Sequence, residues 1–79
     1  MTIQVWYFAS LRELVGRGRE RREVAEGATP ASVLREVLGS ERAAHASGVA
    51  FAVNRRHVPG DRALRDGDEL AFLPPLSGG

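Results

Sequence analysis

One stretch of this chain carries a full set of helix signals, and no other segment long enough to form an element matches it. Thr29 is a good N-cap, and Pro30 occupies the first helical position, where a missing N–H costs nothing. Val33, Leu34, Val37 and Leu38 fall on one face, Arg35 and Glu36 point away, and Gly39 supplies the stop. With 79 residues and one such helix, the chain has a single amphipathic face to bury, and the remaining apolar segments must cover it as strands.

Those segments are short. Ile3 to Phe8 is apolar except at Gln4 and rich in β-branched and aromatic residues, as expected of a largely buried strand. Ala9 to Val15 carries Leu11, Leu14 and Val15 at helical spacing and stops at Gly16, which predicts a short helix. Glu20 to Ala25 reads as an edge strand kept soluble by Arg21, Arg22 and Glu23. Ser40 to Ser47 reads as an irregular connection with partial helical character, and Val49 to Val53 as a central strand ending in a turn at Asn54. Arg55 to Arg65 is a loop with at most a short strand around His57 and Val58. Asp66-Gly67-Asp68 is a tight turn that launches Glu69 to Leu73, where Leu70 and Phe72 share one face and Glu69, Ala71 and Leu73 the other. Pro74 and Pro75 cannot donate to a ladder and end that strand. The expectation is one α+β domain over residues 1–79, a sheet on one main helix, with residues 74–79 as a narrow flexible arm.

Composition removes several functions. The absence of Cys excludes disulfides, thiolate zinc sites and cysteine nucleophiles, and fits a reducing, cytoplasmic setting. The start of the chain is too short and polar for a signal-peptide core, and no apolar run approaches a membrane span. All eleven basic residues are Arg and ten acids oppose them, so a net charge of +1 argues against nucleic-acid binding. Arg17, Arg19, Arg21 and Arg22 are diluted by Glu20, Glu23 and Glu26 and read as a solvated face. Ser10, Ser32, Ser40, Ser47 and Ser77 sit in no recognisable triad motif, and His45 and His57 lack the spacing and partners of a metal site. No metal or bound cofactor is expected, and Gly16-Arg17-Gly18-Arg19 lacks the third glycine of a dinucleotide fingerprint.

The informative feature is the ending Pro74-Pro75-Leu76-Ser77-Gly78-Gly79. Two prolines stiffen the exit and two glycines make the tip as thin as a backbone can be. Six extended residues reach roughly 20 Å, enough to carry a terminal carboxylate into a neighbouring protein's active site. Taken alone, such an end is more often a frayed terminus than a functional arm. The chain, however, resembles the small, sulfur-carrying subunits of molybdopterin synthase, a ubiquitin-like β-grasp family. The resemblance lies in Phe8-Ala9-Ser10-Leu11-Arg12-Glu13-Leu14-Val15-Gly16, in Val53-Asn54, and in the run from Asp66-Gly67-Asp68 through Glu69-Leu70-Ala71-Phe72-Leu73 to Gly79. Leu73 stands where the family often has a second aromatic, and Ser40 to Ser47 has no counterpart.

The resemblance implies a β-grasp fold with one mixed sheet and a non-catalytic, sulfur-donating role. Gly79 would be adenylated by an E1-like, ATP-consuming enzyme, converted to a thiocarboxylate with sulfur from a donor protein, and inserted into the large synthase subunit to serve molybdenum cofactor biosynthesis. Pro74, Pro75, Leu76, Ser77 and Gly78 would form the inserted arm. If the first strand lies beside Glu69 to Leu73, as in β-grasp domains, Trp6, Phe8, Ala71 and Leu73 collect on the face that the helix leaves open and offer a docking patch for both partners. The alternative is a second small core under Ala9 to Gly16. Related carriers for thiazole synthesis or tRNA thiolation, a ubiquitin-like protein modifier, and a plain interaction module are the competing functions.

Overall fold

The computed structural model describes residues 1–44 and 48–74. In chain order these form β1 (Thr2–Tyr7), α1 (Ala9–Val15), β2 (Arg19–Glu23), α2 (Pro30–Leu38), α3 (Ser40–Ala44), β3 (Ala50–Val53), β4 (Arg56–Val58) and β5 (Glu69–Leu73). The strands make one mixed sheet in the order β2-β1-β5-β3-β4, with β1 and β5 parallel at its centre and every other pair antiparallel. α2 supplies Val33, Leu34 and Leu38 to a core shared with Ile3, Val5, Tyr7, Val53, Leu70 and Phe72. This is the expected α+β, β-grasp arrangement. Among the described residues, no helix is long and apolar enough to cross a membrane.

Local chemistry explains the boundaries. β1 starts one residue earlier than expected and releases Phe8, whose extended backbone serves as the N-cap of α1. Gly16 closes α1 in the left-handed region at φ 88°, with its N–H on the Arg12 carbonyl. Thr29 caps α2 through a reciprocal pair: the Ser32 N–H donates to Thr29 Oγ1 at 3.1 Å, and the Thr29 N–H donates to Ser32 Oγ at 2.9 Å. Asn54 and Arg55, at φ 51° and 69°, make the tight hairpin between β3 and β4. Gly60 accepts from the Ala31 N–H at 2.9 Å, and a Cβ there would stand 3.0 Å from the Phe51 ring, so the loop must be bare where it crosses the start of α2.

One expectation is sharpened and one corrected. The partial helical character expected within Ser40 to Ser47 is realised in Ser40–Ala44, which form α3 off Gly39 and pack Ala43 against the core. The remaining residues, 45–47 with His45 among them, lie outside the described residues. The four arginines of the β2 region are not a uniformly solvated face. Glu20 and Arg22 share the parity that faces the helix side, so Arg22 lays its stem inward and reaches Glu20 at 3.4 Å and Glu36 at 3.9 Å. Glu20 also pairs with Arg17 at 3.3 Å and accepts the phenol proton of Tyr7. The Tyr7 ring, buried against Phe72 with centroids 5.8 Å apart, is held far above its ordinary pKa, first by burial and then by that carboxylate.

The turn before β5 is more than a turn. Asp68 is 6% exposed and accepts from the Asn54 side-chain amide at 2.9 Å, the Arg65 N–H at 2.8 Å and Arg62 at 3.4 Å. Asn54 in turn accepts from the Glu69 N–H at 3.0 Å, which ties the hairpin to the base of β5. Burial by itself would push the Asp68 carboxyl up; the donors from Arg65, Asn54 and Arg62 outweigh it and hold the group below its ordinary value. A carboxyl depressed on folding adds stability above its unfolded pKa and loses it as pH falls through the folded one. Thermal melting should therefore shift down as pH drops through and below the ordinary Asp range. The Asp68→Ala variant should cost about 2 to 3 kcal/mol at neutral pH and flatten that acid dependence. Denaturant melts of both proteins across pH check it, and parallel acid profiles would contradict it.

Candidate functional site

The site is assembled at one end of β5 and on the sheet face opposite α2. Strand alternation puts Leu70 and Phe72 under the helix, both fully buried, and leaves Glu69, Ala71 and Leu73 on the other face. The parallel register sets Trp6 beside Ala71. The same row continues across the sheet, with Arg19 beside Trp6, Ala52 beside Ala71 and His57 beside Ala52. Ala50 stands beside Leu73 one step higher. Small residues thus floor the centre of this face, with Trp6, Leu73 and His57 around them.

Trp6, Ala71 and Leu73 therefore share the face as expected, half-buried and without a covering helix. Phe8, expected beside them on the strand, instead lies just past β1 as the N-cap of α1, 43% exposed. The second-core alternative is not what the chain builds: α1 places Leu11 in the main core and leaves Phe8 and Leu14 exposed. Arg19 stacks over the Trp6 ring at 5.4 Å, keeping a positive charge on the patch. A groove lined by Trp6, Phe8, Arg12, Gly18 and Arg19 extends the face toward α1.

Arg19, Ala50, Ala52 and His57 were not foreseen as part of this face. Their membership follows from alternation once the β3–β5 and β1–β2 registers are known, and that pairing is a long-range property. Pro74 is exposed where β5 ends. Pro75, Leu76, Ser77, Gly78 and Gly79, the remainder of the expected arm, lie outside the described residues. Among the described residues no group of three or more His, Asp or Glu side chains is placed to hold a metal ion.

Comparison with known proteins adds the family. Residues 5–79 match the model of the ThiS family. The chain is 40% identical to the molybdopterin synthase sulfur carrier subunit of Chlamydomonas reinhardtii, with all of both chains covered. It is 38% identical to the protein of the same name from Escherichia coli, covering 98% of this chain and 99% of that one. Among solved structures it is similar to a putative molybdopterin converting factor, subunit 1, from Pyrococcus furiosus, at 31% identity and a TM-score of 0.76, covering 96% of this chain and 99% of that one.

Proposed function

We infer, from the premise that this chain belongs to the ThiS family, that it is the sulfur carrier subunit of a molybdopterin synthase. The observation that carries the reading is end-to-end similarity to carrier subunits of that name, in a chain whose own end is Gly78-Gly79. The same similarity favours this carrier over those for thiazole synthesis or tRNA thiolation and over a protein modifier.

The chemistry follows from the chain end. A terminal carboxylate, with a pKa near 3.5, is ionised at neutral pH and is a poor electrophile. An E1-like enzyme corrects this by letting a Gly79 carboxylate oxygen attack the α-phosphorus of ATP, with pyrophosphate leaving. Sulfide delivered by a donor protein then attacks the acyl carbon, AMP leaves carrying the displaced oxygen, and one carboxylate oxygen has been replaced by sulfur. The loaded arm, Pro74 to Gly79, enters the large synthase subunit, which provides the catalytic side chains and directs the sulfur to a pyranopterin precursor. Trp6, Phe8, Ala71 and Leu73 hold the carrier on each partner, and the chain itself binds no cofactor. The reading places these steps in the cytoplasm, where ATP and reduced thiols are available.

Reconstitution tests this. The chain mixed with a large synthase subunit should co-elute as a complex. Its thiocarboxylate form should convert the precursor to a dithiolene while its carboxylate form does not. Equal conversion by the two forms, or no complex, would remove the reading.

A further inference from the structure

An activated acyl group is consumed by any amine or thiol that reaches it before the sulfur donor does. This chain holds no Lys and no Cys. Its eleven basic side chains are arginines, whose delocalised guanidinium groups offer donors but no lone pair to attack with. A histidine imidazole that takes an acyl group passes it on to water and yields only the free acid. One amine remains, the α-amino group of Met1, which donates to the Val24 carbonyl at 2.8 Å from a partly buried position.

The sheet holds that amine at the far end from the arm. β1 and β5 run parallel with Gln4 opposite Glu69. Met1 precedes Gln4 by three positions and Pro74 follows Glu69 by five, so eight strand positions separate them, about 26 Å at 3.3 Å per residue. Five residues follow Pro74, and fully extended they span at most about 18 Å. Gly79 falls short of its own Met1 even if the arm folds straight back.

We propose that this carrier denies its activated carboxyl terminus every amine and thiol acceptor of its own: no side chain supplies either, and the α-amino group is kept out of reach by the parallel β1–β5 pairing. The suppressed reaction is attack of a neutral amine on the Gly79 acyl carbon. It forms a C–N amide bond, breaks the bond to the leaving group, and releases a proton to water, with no change in oxidation state. The acyl group is thereby reserved for sulfur from outside. The inference deepens the carrier reading and rests on it for its biological meaning.

The test is made independent of the activating enzyme by using the full chain with a Gly79 thioester, released from an intein fusion by a small thiol. Ser10 is exposed in the first turn of α1, three residues past Tyr7, which pairs with Phe72, so Ser10→Lys sets an amine near the exit of the arm. Exposed Arg17, which precedes the residue whose carbonyl holds the Tyr7 N–H, gives a second such variant in Arg17→Lys. Glu26→Lys, exposed beyond Glu23, which pairs with Thr2, puts the amine at the Met1 end. The unsubstituted chain and Glu26→Lys should hydrolyse to the free acid. Ser10→Lys and Arg17→Lys should give a cyclic amide, one water lighter than the acid, at least about tenfold faster, because the tether holds the amine at millimolar effective concentration. A cyclic product from the unsubstituted chain, or no excess from either near-arm variant over Glu26→Lys, overturns the proposal. Neither result depends on whether Gly79 is loaded with sulfur in the cell.

Discussion

Deleting Gly79 should reduce thiocarboxylate formation by at least about 100-fold and leave the melting temperature unchanged. The two halves of that expectation have separate causes. The described core closes at Phe72, and Pro74 is already exposed, so removal of the last residue takes nothing from the packed structure. The shortened chain still ends in a carboxylate of ordinary chemistry at Gly78. What changes is position: the end is withdrawn by about 3.5 Å, and misplacing a reacting group by even 1 Å can cost about 100-fold. Intact mass after incubation with activating enzyme, ATP and sulfur donor reads the first half, and calorimetry the second. Normal loading of the shortened chain would show that the partner does not measure the length of the arm.

Charging the open face should separate docking from folding. Phe8→Glu with Leu73→Glu places two carboxylates on the patch around Trp6 and Ala71, at positions that are exposed and half-buried and outside the helix-side core. Losing a hot-spot contact costs about 2 kcal/mol or more, and a carboxylate buried unpaired against an apolar partner surface adds its desolvation cost, so affinity for the large subunit and the activating enzyme should fall by about 100-fold or more. The circular dichroism spectrum should stay as it is. Titration calorimetry against each partner reads the effect. Unchanged affinity in a folded double variant would assign docking to another surface.

Much of this architecture was legible from the residues because local and long-range demands agree. α2 has its cap, its proline, its apolar face and its glycine stop within eleven residues, Thr29 to Gly39, and each falls where expected. β5 follows its alternation over the bounds read from the sequence. Legibility fails where a segment carries no pattern of its own. β2 reads Arg-Glu-Arg-Arg-Glu, equally polar on both faces, so nothing local says that Glu20 and Arg22 turn inward to meet Tyr7 and Glu36. α3 is Ser-Glu-Arg-Ala-Ala, with no apolar period, and its helix depends on packing beside α2. Asp68 looked like a turn residue; its role as a clamp appears only when the hairpin at Asn54 is brought against the base of β5. The open face was half legible: Trp6, Ala71 and Leu73 follow from alternation along β1 and β5, whereas Phe8 leaves the strand as the N-cap of α1, and Arg19, Ala52 and His57 require the register of the outer strands.

The central claim is that the chemistry resides in the terminal carboxyl group of Gly79. The most direct measurement is the intact mass of the full chain after incubation with ATP, the activating enzyme and a sulfur donor. One oxygen exchanged for sulfur, located at Gly79 by fragmentation, is the predicted result. An unaltered C-terminus, under conditions that load an authentic carrier, would contradict it.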